Sequence, residues 1–398
     1  MNKSVYSMHL NMKTYFIKDE FNKNRGFKIE DVNISKGYYF YREEDNCIKK
    51  VLQHSDIKTE KGEEILFRIR KNKNQVFSIE NPLNKQMEKT LKSVRNLGRK
   101  LWYVLKSTPD SPRHNKCHNK DDYILNKNDI IRFGCTLYEV IEKNIKNSNE
   151  NENCEENRRN HYNISNNNKK SQSIFKITEI KEKDVDYSNK TENEICRICF
   201  DGSSSIENPK LHLCSCKDFI HYECLKHWIK TKIQKRQNLQ KTVLTYFIKK
   251  FCCEVCMKPY PLKFKISGLE KEYLLIDLNF PYEENFIALE SLNIIKGDNE
   301  KKVHIVKLID SIITYGRRNY CDIIEKNPFV SRVHAFIKYN NRTGEVILEN
   351  KSEKLDTLVL VKNPINIKEN EIDFQVGRTI ITANLNKISE EENKNIKF

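Results

Sequence analysis

Four residue pairs between Cys196 and Cys256 have the types and spacing to hold metal: Cys196 with Cys199, Cys214 with Cys216, His221 with Cys224, and Cys253 with Cys256. A zinc ion needs four soft donors converging on a tetrahedron, and four closely spaced pairs supply two such sites. A single CxxC is weak evidence, whereas four ligand pairs in one short window are strong. Buried or redox thiols would not explain His221 standing three residues before Cys224. The pair order argues for interleaving. Cys196, Cys199, His221 and Cys224 would share one ion, and Cys214, Cys216, Cys253 and Cys256 the other. Cys252 is adjacent to Cys253, but Cys253 keeps the two-residue gap of a zinc knuckle. So small a unit has too little core of its own, so its two Zn2+ ions must carry its stability.

The elements around this cluster follow from pattern. After Cys224, Leu225, Trp228, Ile229 and Ile233 recur at helical spacing with lysines between them. The gap from Cys224 to Cys253 is long, which extends the helix or adds a loop. Residues 1–145 carry aromatic and β-branched runs at 36–41, 65–69 and 100–105, bounded by turn-formers. Near 145–190 the composition turns to Asn, Lys, Glu and Ser, which cannot bury enough apolar surface to fold, so a disordered linker is expected at 146–190. From 265 to 390 short β runs return, with a hairpin turn at 340–344. The expected domains are 1–145, 146–190, 191–264 and 265–390. The fold class is multidomain and mainly β, with sandwiches flanking a small α+β metal module.

Charge and composition narrow the function. The net charge of +16 comes from 71 Lys+Arg against 55 Asp+Glu, spread along the chain rather than gathered in one block. The densest basic stretch, Lys226, Lys230, Lys232, Lys235 and Arg236, has no interleaved stacking aromatics, so nucleic acid is not an expected partner. No apolar run reaches the roughly 18 residues of a membrane span, and the first residues lack the apolar core of a signal peptide. A soluble cytoplasmic or nuclear protein with reduced thiols is therefore expected. His114, Cys117 and His118 lack a fourth donor at ligand spacing.

Two resemblances sit on these residues. The window 195–261 resembles a RING-CH (RING-variant, C4HC3) zinc finger. It does so through Cys196-Arg197-Ile198-Cys199, Asn208-Pro209, Cys214-Ser215-Cys216, 219–225 with Trp228, and Cys253-Glu254-Val255-Cys256. That resemblance implies an E3 ubiquitin ligase with no catalytic nucleophile. Such modules position a ubiquitin-charged conjugating enzyme, and the implied contacts are Ile198, Trp228 and Pro259. Met257 and Lys258 follow Cys256, where the family usually has an arginine. The C-terminal β region resembles a forkhead-associated (FHA) domain through Gly316-Arg317 and Ser331-Arg332-Val333-His334. It implies a phosphothreonine-containing partner held by Arg317, Ser331 and Arg332, with His334 bracing the loop from inside. Where the family has an Asn-Gly-Thr turn, this chain reads Ser352-Glu353-Lys354-Leu355-Asp356-Thr357. Residues 1–145 invite comparison with a second FHA-like sandwich, through Gly98-Arg99 and 128–134. The alternative function is a non-enzymatic zinc-finger and FHA adaptor that mediates protein–protein interactions.

Overall fold

The structure is a computed structural model that describes residues 6–19, 24–42, 48–52, 64–74, 76–82, 97, 100–106, 122–146, 184–185, 195–266, 272–292, 300–352, 355–367 and 371–387. Most of the expected linker, Gly98-Arg99 and the 107–121 stretch with His114, Cys117 and His118 lie outside these residues. The fold is mainly β, with about 52% of the described residues in strand.

One sheet of twelve strands organises the molecule. From one edge it runs Gln234–Gln237, Val243–Ile248, Lys301–Lys307, Phe286–Ser291, Thr136–Asn144 and Ile130–Phe133. It continues through Thr357–Leu360, Leu101–Leu105, Ile372–Val376, Thr379–Lys387, Tyr6–Asp19 and Asn24–Ile34. Smaller sheets cover its faces. One joins Ile323–Ile324, Ile313–Gly316, Ala335–Asn340, Glu345–Asn350 and Tyr123–Ile124. Another joins Ile365–Asn366, Phe77–Glu80, Glu64–Lys71, Tyr38–Arg42 and Ile48–Val51.

The two β regions expected to be separate sandwiches are interleaved. Leu101–Leu105 pairs antiparallel with Thr357–Leu360 at the sheet centre. The hairpin after each central strand then pairs with the other one. Ile130–Phe133 lies beside Thr357–Leu360, and Ile372–Val376 lies beside Leu101–Leu105. One core thus joins Leu125, Ile131, Phe133, Tyr138 and Val140 to Ile313, Tyr315, Ala335 and Leu348. The other joins Met8, Leu10, Phe40 and Phe67 to Phe374, Val376 and Ile381. The expected boundary near 145 therefore falls between strands that share cores. The exchange was not legible because both hairpins carry alternating apolar residues, and alternation specifies a buried face rather than a partner strand.

The metal module is fused to this sheet. Every residue of Phe286–Ser291 is buried because its two faces serve different cores. Ile287 and Leu289 face the sandwich, while Phe286 and Ala288 pack with Leu225, Ile229, Cys196 and Cys253. The long gap before Cys253 forms neither a longer helix nor a loop. It forms the hairpin Gln234–Gln237 and Val243–Ile248, which extends the long sheet against Lys301–Lys307.

Candidate functional site

The metal module is built by two knuckles of the same shape. Phe200 N donates to Cys196 O at 2.8 Å, and Met257 N donates to Cys253 O at 2.9 Å. Phe200 and Met257 both take left-handed backbone conformations, with φ of 60° and 58°. Non-glycine residues pay for that geometry, so the turns are held by something beyond their own preference. The helix Tyr222–Lys232 starts directly after His221 and buries Tyr222, Leu225 and Ile229. Glu223 in its first turn and Lys230 and Lys232 in its last complement the helix dipole. This fixed start sets His221 and Cys224 on one turn.

The eight donors gather into two clusters. Cys196, Cys199, His221 and Cys224 form one, and Cys214, Cys216, Cys253 and Cys256 the other, with donor atoms in each within 4.8 Å of one another. Thiolates about 2.3 Å from zinc stand about 3.8 Å apart across a tetrahedral edge, and Cys216 Sγ and Cys253 Sγ are 3.7 Å apart. His221 Nδ1 faces Cys199 Sγ at 3.2 Å and Cys224 Sγ at 3.9 Å. Its Nε2 contacts Ser203 O, which can only accept, so the proton sits on Nε2 and the Nδ1 lone pair faces the thiols. Cys252 stays outside both clusters and forms a bridge with Pro259. His212 turns to the Cys216 carbonyl.

The electrostatics fit a dication in each cluster. Burial pushes the Cys253 thiol up, but the amides of Cys256 and Val255 and the Arg197 guanidinium outweigh it and bring it to about 5. Cys196 is likewise brought to about 7 against burial by the amides of Cys199, His221 and Ile198. In the same clusters burial and neighbouring thiols push Cys216 and Cys224 up to about 12. Three thiols in one cluster and four in the other, so close together, need a cation to ionise as a set. Arg197 supplies a further charge. Its Nη1 donates to Cys253 Sγ at 3.5 Å and its Nη2 to Tyr260 Oη at 2.9 Å. It thus leaves the first cluster's knuckle to serve the all-cysteine cluster, where four thiolates around a dication leave a net charge of about −2.

A second site opens on the sandwich. A cavity of about 440 Å³ is lined by Arg317, Ser331, Arg332, Lys351 and Leu355, among others. Gly316 lets the chain approach here, since a Cβ would stand 2.4 Å from Arg332 O. Arg317 N donates to Ser331 O at 2.9 Å and its Nε to Val330 O at 3.2 Å, while the side chain remains exposed. The Ser331 hydroxyl meets Ser352 Oγ at 2.6 Å. His334 is buried behind the loop, and its Nδ1 accepts from Ser331 N at 3.0 Å. Burial holds it neutral, down to about 4. Asp356 is exposed and does not line the cavity.

Residues 196–256 match a family model described as a RING-variant domain, and residues 313–380 one described as an FHA domain. The chain carries both domains. The rat "Probable E3 ubiquitin-protein ligase MARCHF10" is 30% identical over 147 residues, covering 32% of this chain and 18% of its own length. Its human counterpart of the same name is 30% identical over 139 residues, covering 30% of this chain and 16% of its own. The chain therefore spans less than a fifth of the curated relatives it matches. No solved structure matches it. The expectation of a soluble cytoplasmic or nuclear protein is corrected by these relatives, which are of a membrane-associated ligase class. Among the described residues no helix is long and apolar enough to cross a membrane, and that absence does not restore the expectation.

Within the RING-variant domain Ile198 is exposed and Trp228 is half-buried with its ring edge-on to Tyr260, and Pro259, just past the matched span, is exposed. The roles of Arg197, Lys351 and Ser352 were not read from the sequence. Arg197 stands inside the CxxC motif and was a visible signal. Lys351 lines the FHA cavity, and Ser352 meets Ser331 behind it, because Glu345–Asn350 pairs with the strand after His334.

Proposed function

We propose that this chain is a zinc-dependent E3 ubiquitin ligase whose FHA domain recruits a phosphothreonine-containing protein. The observation that carries the reading is the convergence of eight donors into two tetrahedral-sized clusters inside the RING-variant span. The eight residues would hold two zinc ions, which supply fixed geometry and no redox chemistry. Ile198, Trp228 and Pro259 would contact a ubiquitin-charged conjugating enzyme. The domain offers no nucleophile in this scheme; it lowers the barrier by holding the thioester in an attack-ready orientation.

The FHA cavity supports the recruiting half. Arg317 and Arg332 offer forked donors suited to a phosphate, and Ser331 adds a hydroxyl. Lys351 adds a cation on the side where the Asn-Gly-Thr turn is missing. Autoubiquitination by the full zinc-loaded chain tests the ligase half, and Ile198→Ala should abolish it. Peptide titration tests the other half, with Arg317→Ala expected to weaken phosphothreonine binding by at least tenfold. A chain that binds phosphopeptides but accelerates no ubiquitin transfer would be the adaptor instead. Met257, exposed where a cation usually stands, favours that second reading.

A further inference from the structure

The two domains are joined by a specific polar contact as well as by the sheet. The 234–248 hairpin lies between Cys224 and Cys253, inside the RING-variant span, yet its second strand pairs along Lys301–Lys307 of the sandwich. Asn238 organises its turn. Asn238 Oδ1 accepts from Thr242 N at 2.8 Å and from Val243 N at 2.9 Å. Its Nδ2 faces Thr242 Oγ1 at 2.8 Å and Gln240 Oε1 at 3.1 Å, and it reaches across to Asp322 Oδ1 at 2.7 Å.

Asp322 belongs to the FHA domain and closes the loop that carries Arg317. Its Oδ2 accepts from Thr314 N at 2.9 Å and from Thr314 Oγ1 at 2.8 Å, and its own amide donates to Thr314 Oγ1 at 3.0 Å. The same loop meets the Ser331 segment through Arg317 N to Ser331 O and Arg318 N to Arg332 O. One carboxylate therefore ties the phosphate-facing loop at Thr314, while its other oxygen is held by the zinc domain's hairpin. A hydrogen bond to an ionised acceptor is about twice as strong as a neutral one, so this contact is well suited to carry order between the domains.

We propose that Asn238 is a positioning residue for the Arg317 loop, through which the zinc domain sets the order of the phosphopeptide site. The proposal rests on the reading of that cavity as a phosphopeptide site. Its consequence is reciprocal: a peptide that orders the loop also orders the hairpin beside the zinc clusters. N238D isolates the contact, because the substituted side chain still accepts from Thr242 N and Val243 N but turns a like charge toward Asp322. The paired variant N238D/D322N exchanges donor and acceptor. It keeps the two backbone turn bonds, the bridge and an acceptor for Thr314 N, while the Thr242 hydroxyl and the Gln240 amide would donate to the carboxylate instead of accepting.

The test uses the full zinc-loaded chain. Amide hydrogen exchange over residues 313–322 reads the loop without any ligand, and titration with a pool of phosphothreonine peptides with randomised flanks reads the site. N238D should speed exchange at Thr314 and Asp322 and weaken peptide binding about tenfold, within the usual range of coupling between sites. N238D/D322N should restore both. Unchanged exchange in N238D, or no recovery in the paired variant, overturns the proposal. If exchange follows the proposal but the unaltered chain binds no phosphothreonine peptide, the coupling stands and the phosphopeptide reading falls.

Discussion

The zinc clusters draw all their donors from residues between Cys196 and Cys256, with partners set a few residues apart. The FHA cavity draws its lining from 317–355, but its supporting core takes Leu105, Phe133 and Tyr138 from the far side of the metal domain. Gly134, at φ 61°, shows how close that support comes: a Cβ there would stand 2.1 Å from Phe329 O, beside the cavity loop. The first site is a local construction and the second a distributed one. A local site fails when its ions are removed, whereas a distributed site fails when distant strands are damaged.

Removing zinc should give the largest effect. Structural zinc contributes on the order of 10 kcal/mol to small domains, and here the metal domain shares its core with Phe286, Ala288, Val303 and Ile305 of the sheet. Chelation should therefore unfold the donor-bearing stretches 196–232 and 251–256 and also loosen the Val243–Ile248 edge, which exchange at those strand amides can follow. If the sheet edge keeps full protection after zinc loss, the two regions are more independent than their shared core implies.

Phe133→Ala should come next, at about 3–5 kcal/mol for a large buried aromatic. Phe133 stacks on Tyr315 at 4.1 Å, just before Gly316-Arg317. The variant should lower both the melting temperature and phosphopeptide affinity while leaving zinc stoichiometry at two ions. A normal cavity in this variant would mean that the FHA segment stands without the N-terminal strands.

These two tests also mark what the sequence could disclose. Ligand spacing within a few residues is nearly geometry already, so the clusters, the choice of Cys253 and the helix after Cys224 were legible. Gly316-Arg317 and the 331–334 segment were legible as parts of one loop cluster. Strand exchange was not, because 128–134 and 370–377 present similar polar–apolar alternation ahead of a glycine, and alternation does not name a partner. The 234–248 hairpin was hidden for a related reason. Its apolar residues satisfy a neighbour more than fifty positions away, along Lys301–Lys307.

Acid should separate the regions by a smaller margin. His304 is fully buried between Thr245 of the zinc domain's hairpin and Tyr138 of the N-terminal strands. Burial, with Lys302 and Arg236 adding, lowers its pKa to about 3. The folded chain keeps it neutral while the unfolded chain protonates it below pH about 6.5. Stability should thus fall as pH drops from about 6.5 and the loss should level off near 3, amounting to about 3 kcal/mol by pH 4. His304→Gln should flatten that part of a pH-dependent denaturation series. An unchanged slope would remove His304 from the contact between regions.

The smallest expected effect is local to one knuckle. Met257→Gly relieves a left-handed residue, at φ 58°, and should stabilise the zinc domain by at most about 1 kcal/mol, read as slower zinc loss to a chelator. Faster loss would mean that the exposed Met257 side chain helps to hold the turn.

The central claim is that two zinc-ordered clusters present Ile198, Trp228 and Pro259 to a conjugating enzyme. The direct measurement is the rate at which the full zinc-loaded chain discharges ubiquitin from a charged conjugating enzyme onto free lysine. The account expects clear acceleration that disappears in Ile198→Ala with both zinc ions retained. No acceleration by the zinc-loaded chain across a panel of conjugating enzymes, or equal acceleration by Ile198→Ala, would contradict it.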